Sequence, residues 1–221
     1  MHVTLEIIWE KGDVVVPLYD YILKQYGPNE PILVSDLSYE NYSQAWIYKQ
    51  LNKLLSEEKI VRYEKGIYYI PTKTPFGKSL LNPRKVIERK YISQKGESVG
   101  YYSGVAFQNQ LRLTTQMPNV IEIYTNNETT KSRGVYVGKQ KVLLRKARTK
   151  ITNKNVNVLS FLELMNDLTS NAINEEKKKI IEKFISDKGI TRKDISDYAP
   201  VFPDKTMRTL IESGVIYSVT Q

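Results

Sequence analysis

Most of the residue types that carry enzyme chemistry are scarce in this 221-residue chain. It contains one histidine, His2, and no cysteine, which removes most nucleophile–base pairs and every thiolate metal site. No G-x-x-x-x-G-K-[ST] phosphate cradle occurs in it. Residues 72–157 offer four carboxylates, Glu88, Glu97, Glu122 and Glu128, where a two-metal nuclease needs several that converge. Glu122 reads as a solitary outward side chain on an apolar strand. Ser103, Thr114, Thr115 and Gln116 form a polar cluster without a base, in which Ser103 reads as a helix cap and residues 114–116 as a turn. What remains are side chains suited to binding. One set is Ser43, Gln44, Trp46, Lys49, Gln50 and Lys53, joined by Arg62 and Lys65. The other is Lys139, Lys141, Arg145, Lys146, Arg148 and Lys150.

The first set depends on a helix and a hairpin. Over residues 43–55 the apolar positions Ile47, Leu51, Leu54 and Leu55 fall at i, i+4, i+7 and i+8, the stripe of an amphipathic helix. Ser43 is placed to cap its first turn. The opposite face carries Trp46, Lys49, Gln50 and Lys53 and no carboxylate, although Trp46 turns into the core if the helix rotates by one residue. After Glu57 and Glu58 the period changes from 3.6 to 2. Two β-rich runs at 60–63 and 67–70 flank Glu64-Lys65-Gly66, where glycine supplies the positive φ of a tight turn.

Upstream, Val15, Leu18, Ile22 and Tyr26 predict a helix over 14–26 that Gly27-Pro28 ends. Residues 31–37 then read as a short strand running into a short helix with Ser35 as its cap. Helix, strand, helix, helix, hairpin is the order of a winged helix-turn-helix. Residues 1–12 alternate weakly, as in a short strand, and His2 has no assigned role.

Charge is distributed unevenly. The chain carries a net +9, yet residues 1–71 hold 7 Lys/Arg against 10 Asp/Glu and residues 158–221 hold 9 against 10. Residues 72–157 hold 17 against 4, so the middle of the chain is the stronger attractor of polyanions or of an acidic protein. No apolar run approaches the ~20 residues that span a bilayer, and no signal pattern opens the chain. A reducing cytosol fits the missing cysteines.

Between residues 71 and 83 three prolines and a glycine predict a linker, and Pro83 starts a basic helix that buries Val86, Ile87 and Tyr91. A short helix over 103–109, strands at 120–125, 134–138 and 141–147, helices over 158–185 and a helix, turn, helix and strand over 190–219 complete the reading. The tail echoes the front helices, as an accidental likeness or a second helix-turn-helix.

Several of these stretches resemble the AbiEi family of antitoxins, from type IV toxin–antitoxin and abortive-infection (phage defence) systems. They are Gly66-Ile-Tyr-Tyr-Ile-Pro71 leading into Phe76-Gly77, Gly100-Tyr-Tyr-Ser-Gly104, and Leu113-Thr-Thr-Gln-Met-Pro118 followed by Ile121-Glu-Ile-Tyr-Thr-Asn126. The likeness covers about residues 13–150, and its motifs are those of turns and packing. It implies autorepression of an operon by the N-terminal domain and neutralisation of a nucleotidyltransferase-like toxin by the C-terminal one.

The expectation is therefore an α+β protein of the cytoplasm. Residues 1–71 form a winged helix-turn-helix that binds operator DNA, 72–83 a linker, and 84–221 an α/β antitoxin domain with a small sheet and C-terminal helices. Its partners are operator DNA, where it acts as a possible dimer, and the toxin, with no membrane, metal, cofactor or catalytic residue. The toxin-neutralising or polyanion-binding surface is the second basic set with Thr114, Thr115 and Gln116. A ligand-responsive winged-helix regulator without a toxin is the alternative.

Overall fold

The computed structural model describes residues 8–10, 13–15, 17–38 and 42–219; His2 and most of the opening strand expectation lie outside them. The chain divides into two compact units, residues 1–86 and 87–221, each with its own apolar cluster.

In the first unit β1 (Ile8–Glu10) pairs antiparallel with β2 (Asp13–Val15). The helix expected from residue 14 begins only at Leu18, because Pro17 occupies its N-cap and has no N–H to continue a ladder upstream. This α1 (Leu18–Tyr26) ends at Gly27, whose φ of 76° suits a residue without Cβ. Next, β3 (Ile32–Leu33) runs into a single 3-10 turn, Val34–Asp36. Leu33 precedes that turn without a side-chain cap, so Ser35 lies inside it and does not cap it.

In α2 (Gln44–Ser56) the Ser43 hydroxyl accepts the Trp46 N–H at 3.3 Å. Ile47, Leu51 and Leu54 are buried along it, as the spacing predicts. β4 (Val61–Glu64) and β5 (Ile67–Tyr69) form the hairpin, with a register shift between Arg62 and Glu64 and with Gly66 at φ 78°. The three strands lie in the order β3-β5-β4. Ile22, Ile32, Ile47, Leu51 and Ile60 are fully buried between helices and sheet.

The stretch expected to be a linker forms a hairpin, β6 (Lys73–Thr74) with β7 (Gly77–Lys78). Its prolines flank the strands and do not prevent pairing. Asn29 ties its base, donating to Thr72 Oγ1 and accepting from Ser79 Oγ. Lys78 pairs with Glu58.

α3 (Pro83–Ile87) begins as expected with proline in its first turn, and Asn82 accepts the Arg84 N–H. It continues into a wide π turn, Glu88–Ile92. Val86 and Ile87 are buried and Tyr91 is half-buried.

In the second unit a small hairpin, β8 (Ser93–Gln94) with β9 (Glu97–Ser98), precedes β10 (Gly100–Ser103) and α4 (Gly104–Gln110). β11 (Val120–Thr125), β12 (Ser132–Val137) and β13 (Gln140–Lys146) complete a four-stranded mixed sheet in the order β10-β11-β13-β12. β13 inserts between its hairpin partner β12 and β11, to which it runs parallel. Alternation decides the faces: Ile121, Ile123, Thr125, Val142 and Leu144 are buried on one side.

The helices α5 (Val156–Asp167), α6 (Glu175–Lys188), α7 (Arg192–Tyr198) and α8 (Asp204–Glu212) follow. Residues 215–218 make a 3-10 turn after the left-handed Gly214 where a strand was expected. The apolar run buries Val215 and Val219 against the helices. Among the described residues no helix is long and apolar enough to cross a membrane.

Candidate functional site

On α2 the residues open to solvent are Gln44, Ala45, Tyr48, Lys49, Asn52, Lys53 and Ser56, with Ser43 at the cap. Gln44, Tyr48 and Asn52 stand at i, i+4 and i+8, one straight row along the helix, and Lys49 and Lys53 flank it. Tyr48 and Asn52 were missed in reading the sequence. Counting in steps of four from Gln44 would have found them. Trp46 leaves this row: it is half-buried, packs against the core and stacks on Tyr42 with ring centroids 3.9 Å apart. Gln50 is half-buried as well. Lys53 lies 3.9 Å from Glu57 across one helical turn, a weak exposed pair. Arg62 and Lys65 are exposed on the hairpin that follows. The exposed surface is thus one row of polar side chains with two lysines on α2, and two more cations on the neighbouring hairpin.

In the second unit the six basic residues do not form one surface. The two arginines are half-buried and paired with carboxylates, whereas the lysines face water. Arg145 Nε donates to Glu122 Oε2 at 2.8 Å, so Glu122 is not solitary. The pairing was hidden because 23 residues separate the partners. Arg148 grips Glu163 through Nε at 2.8 Å and Nη2 at 3.0 Å. Glu163 is 1 % exposed, and the guanidinium also lies 5.5 Å from the Tyr124 ring and 4.9 Å from the Phe202 ring. The carboxylate raises the Arg148 pKa further above its usual range. Arg133 likewise closes over Glu128, whose pKa falls to about 2 because Thr130 and then Arg133 hydrogen-bond its charged form. By contrast Lys139, Lys141, Lys146 and Lys150 are exposed. No ion pair to any of them is found among the described residues.

Register then separates the lysines. Lys141 pairs with Val120 at the start of β11, and Lys146 with Thr125 at its end. Lys139 lies in the Gly138-Lys139 turn beside Lys141. Lys146 and Lys150 therefore belong to the opposite end of the strand. The segment entering β11 lies at the first group's end, where Gln140 Nε2 donates to Asn119 O at 3.2 Å beside Val120. The Thr114–Gln116 loop is held by Asn109, whose Nδ2 donates to the carbonyls of Thr114 and Gln116.

Ser103 does not cap α4. Its side chain is buried, and the Gly104 N–H is taken instead by Asp167 Oδ2 at 2.9 Å, from the last residue of α5. Partial burial, with Glu163 and Glu122 nearby, pushes the Asp167 pKa up to about 6 against the pull of the Gly104 N–H. Tyr124 is pushed up to about 12, mainly by burial. Among the described residues no group of acidic or histidine side chains is arranged to hold a metal ion.

No match was found among curated proteins. Residues 24–193, from within α1 to the first turn of α7, match a family of unknown function, DUF6088. The matched stretch includes α2, its hairpin and the whole four-stranded sheet, so this chain belongs to the DUF6088 family.

Proposed function

We propose that this chain is an antitoxin whose first unit is a winged helix that binds the operator of its own operon, and whose second unit neutralises a nucleotidyltransferase-like toxin. The observation that carries the DNA-binding half is the arrangement around α2. A Ser43-capped helix with an open polar row is followed directly by a hairpin in a sheet ordered β3-β5-β4. That arrangement lets α2 enter a major groove while Arg62 and Lys65 on the hairpin reach the adjoining backbone. Lys49 and Lys53 are placed for phosphates. Gln44 and Asn52 carry the amides that read base edges, adenine above all. The antitoxin half is supported by the AbiEi resemblance. A single short helix reads few base pairs, so two copies on a repeated operator are expected.

The test is a salt titration of binding to the promoter fragment of the chain's own operon, alongside growth rescue of cells that express the adjacent toxin gene. Lys49→Ala with Lys53→Ala should reduce the slope of log K against log salt by about 2, since each released phosphate contact contributes roughly 0.9, and should leave rescue intact. Asn52→Ala should cost about 1–3 kcal/mol at one operator position and relax the preference there. Parental binding by the double variant would discard α2 as the reading element.

A second reading, a regulator that responds to a small ligand, draws on a cleft of about 440 Å³ in the helical tail. Ile195, Phe202, Met207 and Ile216 line it, with Arg192 and Asp204 among its polar groups. Thermal shift against a metabolite library distinguishes it from the first.

A further inference from the structure

The outer half of the second unit's sheet leaves an aromatic ring in water among lysines. Tyr136 on β12 is 68 % exposed, and its partner directly across on β13 is Lys141, so the ring and the ammonium share one face. Lys139 follows in the turn three residues after the ring. Two residues back on the same face is Gly134, opposite Leu143. Nothing lies within 4 Å of where a Gly134 side chain would begin, so the sheet beside the ring is open. From residue 129 to residue 162 the chain has no Asp or Glu. Glu128 is buried and held by Thr130 and Arg133, and Glu122, in the row of Leu143 and Gly134 two strands away, is held by Arg145. Met117, 67 % exposed, lies in the loop at the same end of the sheet.

We propose that this face, centred on Tyr136 with Lys139 and Lys141, binds single-stranded nucleic acid, one base stacking on the ring while the lysines take the flanking phosphates. An exposed aromatic on a sheet, set among cations, is the chemistry that holds unstacked bases of any sequence. A duplex keeps its bases within its own stack and cannot offer one to Tyr136. A protein partner fits less well, because lysine is depleted from protein–protein interface cores. The inference is independent of operator binding, which uses α2.

The full-length chain is titrated at low salt into three fluorescein-labelled probes: a 12-nucleotide RNA, the same sequence as single-stranded DNA, and the promoter duplex. Tyr136→Ala should weaken single-strand binding by about 5- to 150-fold, the range for one stacked base, and Tyr136→Phe should retain it. Gly134→Glu, which adds a carboxylate in open space, should weaken it too. Lys49→Ala with Lys53→Ala should spare the single strands. A preference for RNA or for DNA identifies the source of the strand, and either supports the site. Parental single-strand affinity in both Tyr136→Ala and Gly134→Glu would overturn the proposal. So would a parent that binds neither single strand, and loss of growth rescue in a folded Tyr136→Ala protein would then show that the face docks a protein.

Discussion

At the scale of single residues, cations of one sign and one neighbourhood in the sequence serve different ends. Arginine's planar fork suits a fixed carboxylate, and lysine's flexible stem keeps its charge in water. The fold uses both properties within residues 139–150. Arg148 is the extreme case: it is bidentate on a carboxylate that is 1 % exposed. Removing the guanidinium strands a buried charge, which costs about 3–5 kcal/mol. Arg148→Met is therefore expected to lower unfolding stability by that amount in urea denaturation, whereas Lys150→Met should change it by less than about 0.5 kcal/mol. Equal effects would remove Arg148 from the interior and return it to the surface set.

At the scale of elements, the start of α4 shows how a distant residue replaces an expected local cap. Asp167 ends α5 and accepts the Gly104 N–H, while Ser103 is buried without capping the helix. Its raised pKa makes this contact pH-dependent. The folded value of about 6 lies above the ordinary 3.8, so the folded state binds the proton more tightly than the unfolded chain does. The stability this group contributes is full below about 3.8 and is lost as pH rises through 6. Glu128 acts in the opposite sense, stabilising above its ordinary 4.5 and losing that contribution as pH falls toward 2. Between pH 4.5 and 6.5 the Asp167 contribution stands apart. Asp167→Asn keeps an acceptor for Gly104 but removes the titration. Unfolding measured across that window should show the parent losing stability relative to the variant, with the gap constant above pH 7. Parallel curves would refute the assignment. Asp167 is itself exposed, so solvent screening moderates the effect.

At the scale of the whole molecule, two units with separate apolar clusters need not unfold together. Differential scanning calorimetry is expected to resolve two transitions. Arg148→Met should lower only the one belonging to residues 87–221, and Ser43→Ala, which removes the α2 cap, only the other. A cap of this kind is worth about 1 kcal/mol. A single transition shifted equally by both substitutions would mean that the units fold as one.

Much of the local structure was legible in the sequence because its causes are local. The 3.6-residue spacing of Ile47, Leu51 and Leu54, the Ser43 cap, the Gly66 turn and the strand at residues 120–125 each depend on neighbours a few positions away. The structure reproduces each of them. Proline and glycine were read correctly as interruptions at Gly27 and Pro83. Around Pro75 they mark the tip of a hairpin, because Asn29, more than 40 residues earlier, supplies the bonds that hold its base. The α+β class follows from the periodicities alone. The sequence could not show that β13 would slide between β11 and β12. Once it does, register places Lys141 across from Tyr136 and carries Lys146 to the far end of the strand. The same placement brings Glu122 and Glu163 from other elements onto Arg145 and Arg148. Charge and hydrophobic spacing are properties of a segment, but which carboxylate meets which cation depends on long-range packing. The basic segment was therefore visible in the sequence, but that Arg145 and Arg148 are half-buried on carboxylates while the lysines of residues 139–150 stay exposed was decided only by the tertiary structure.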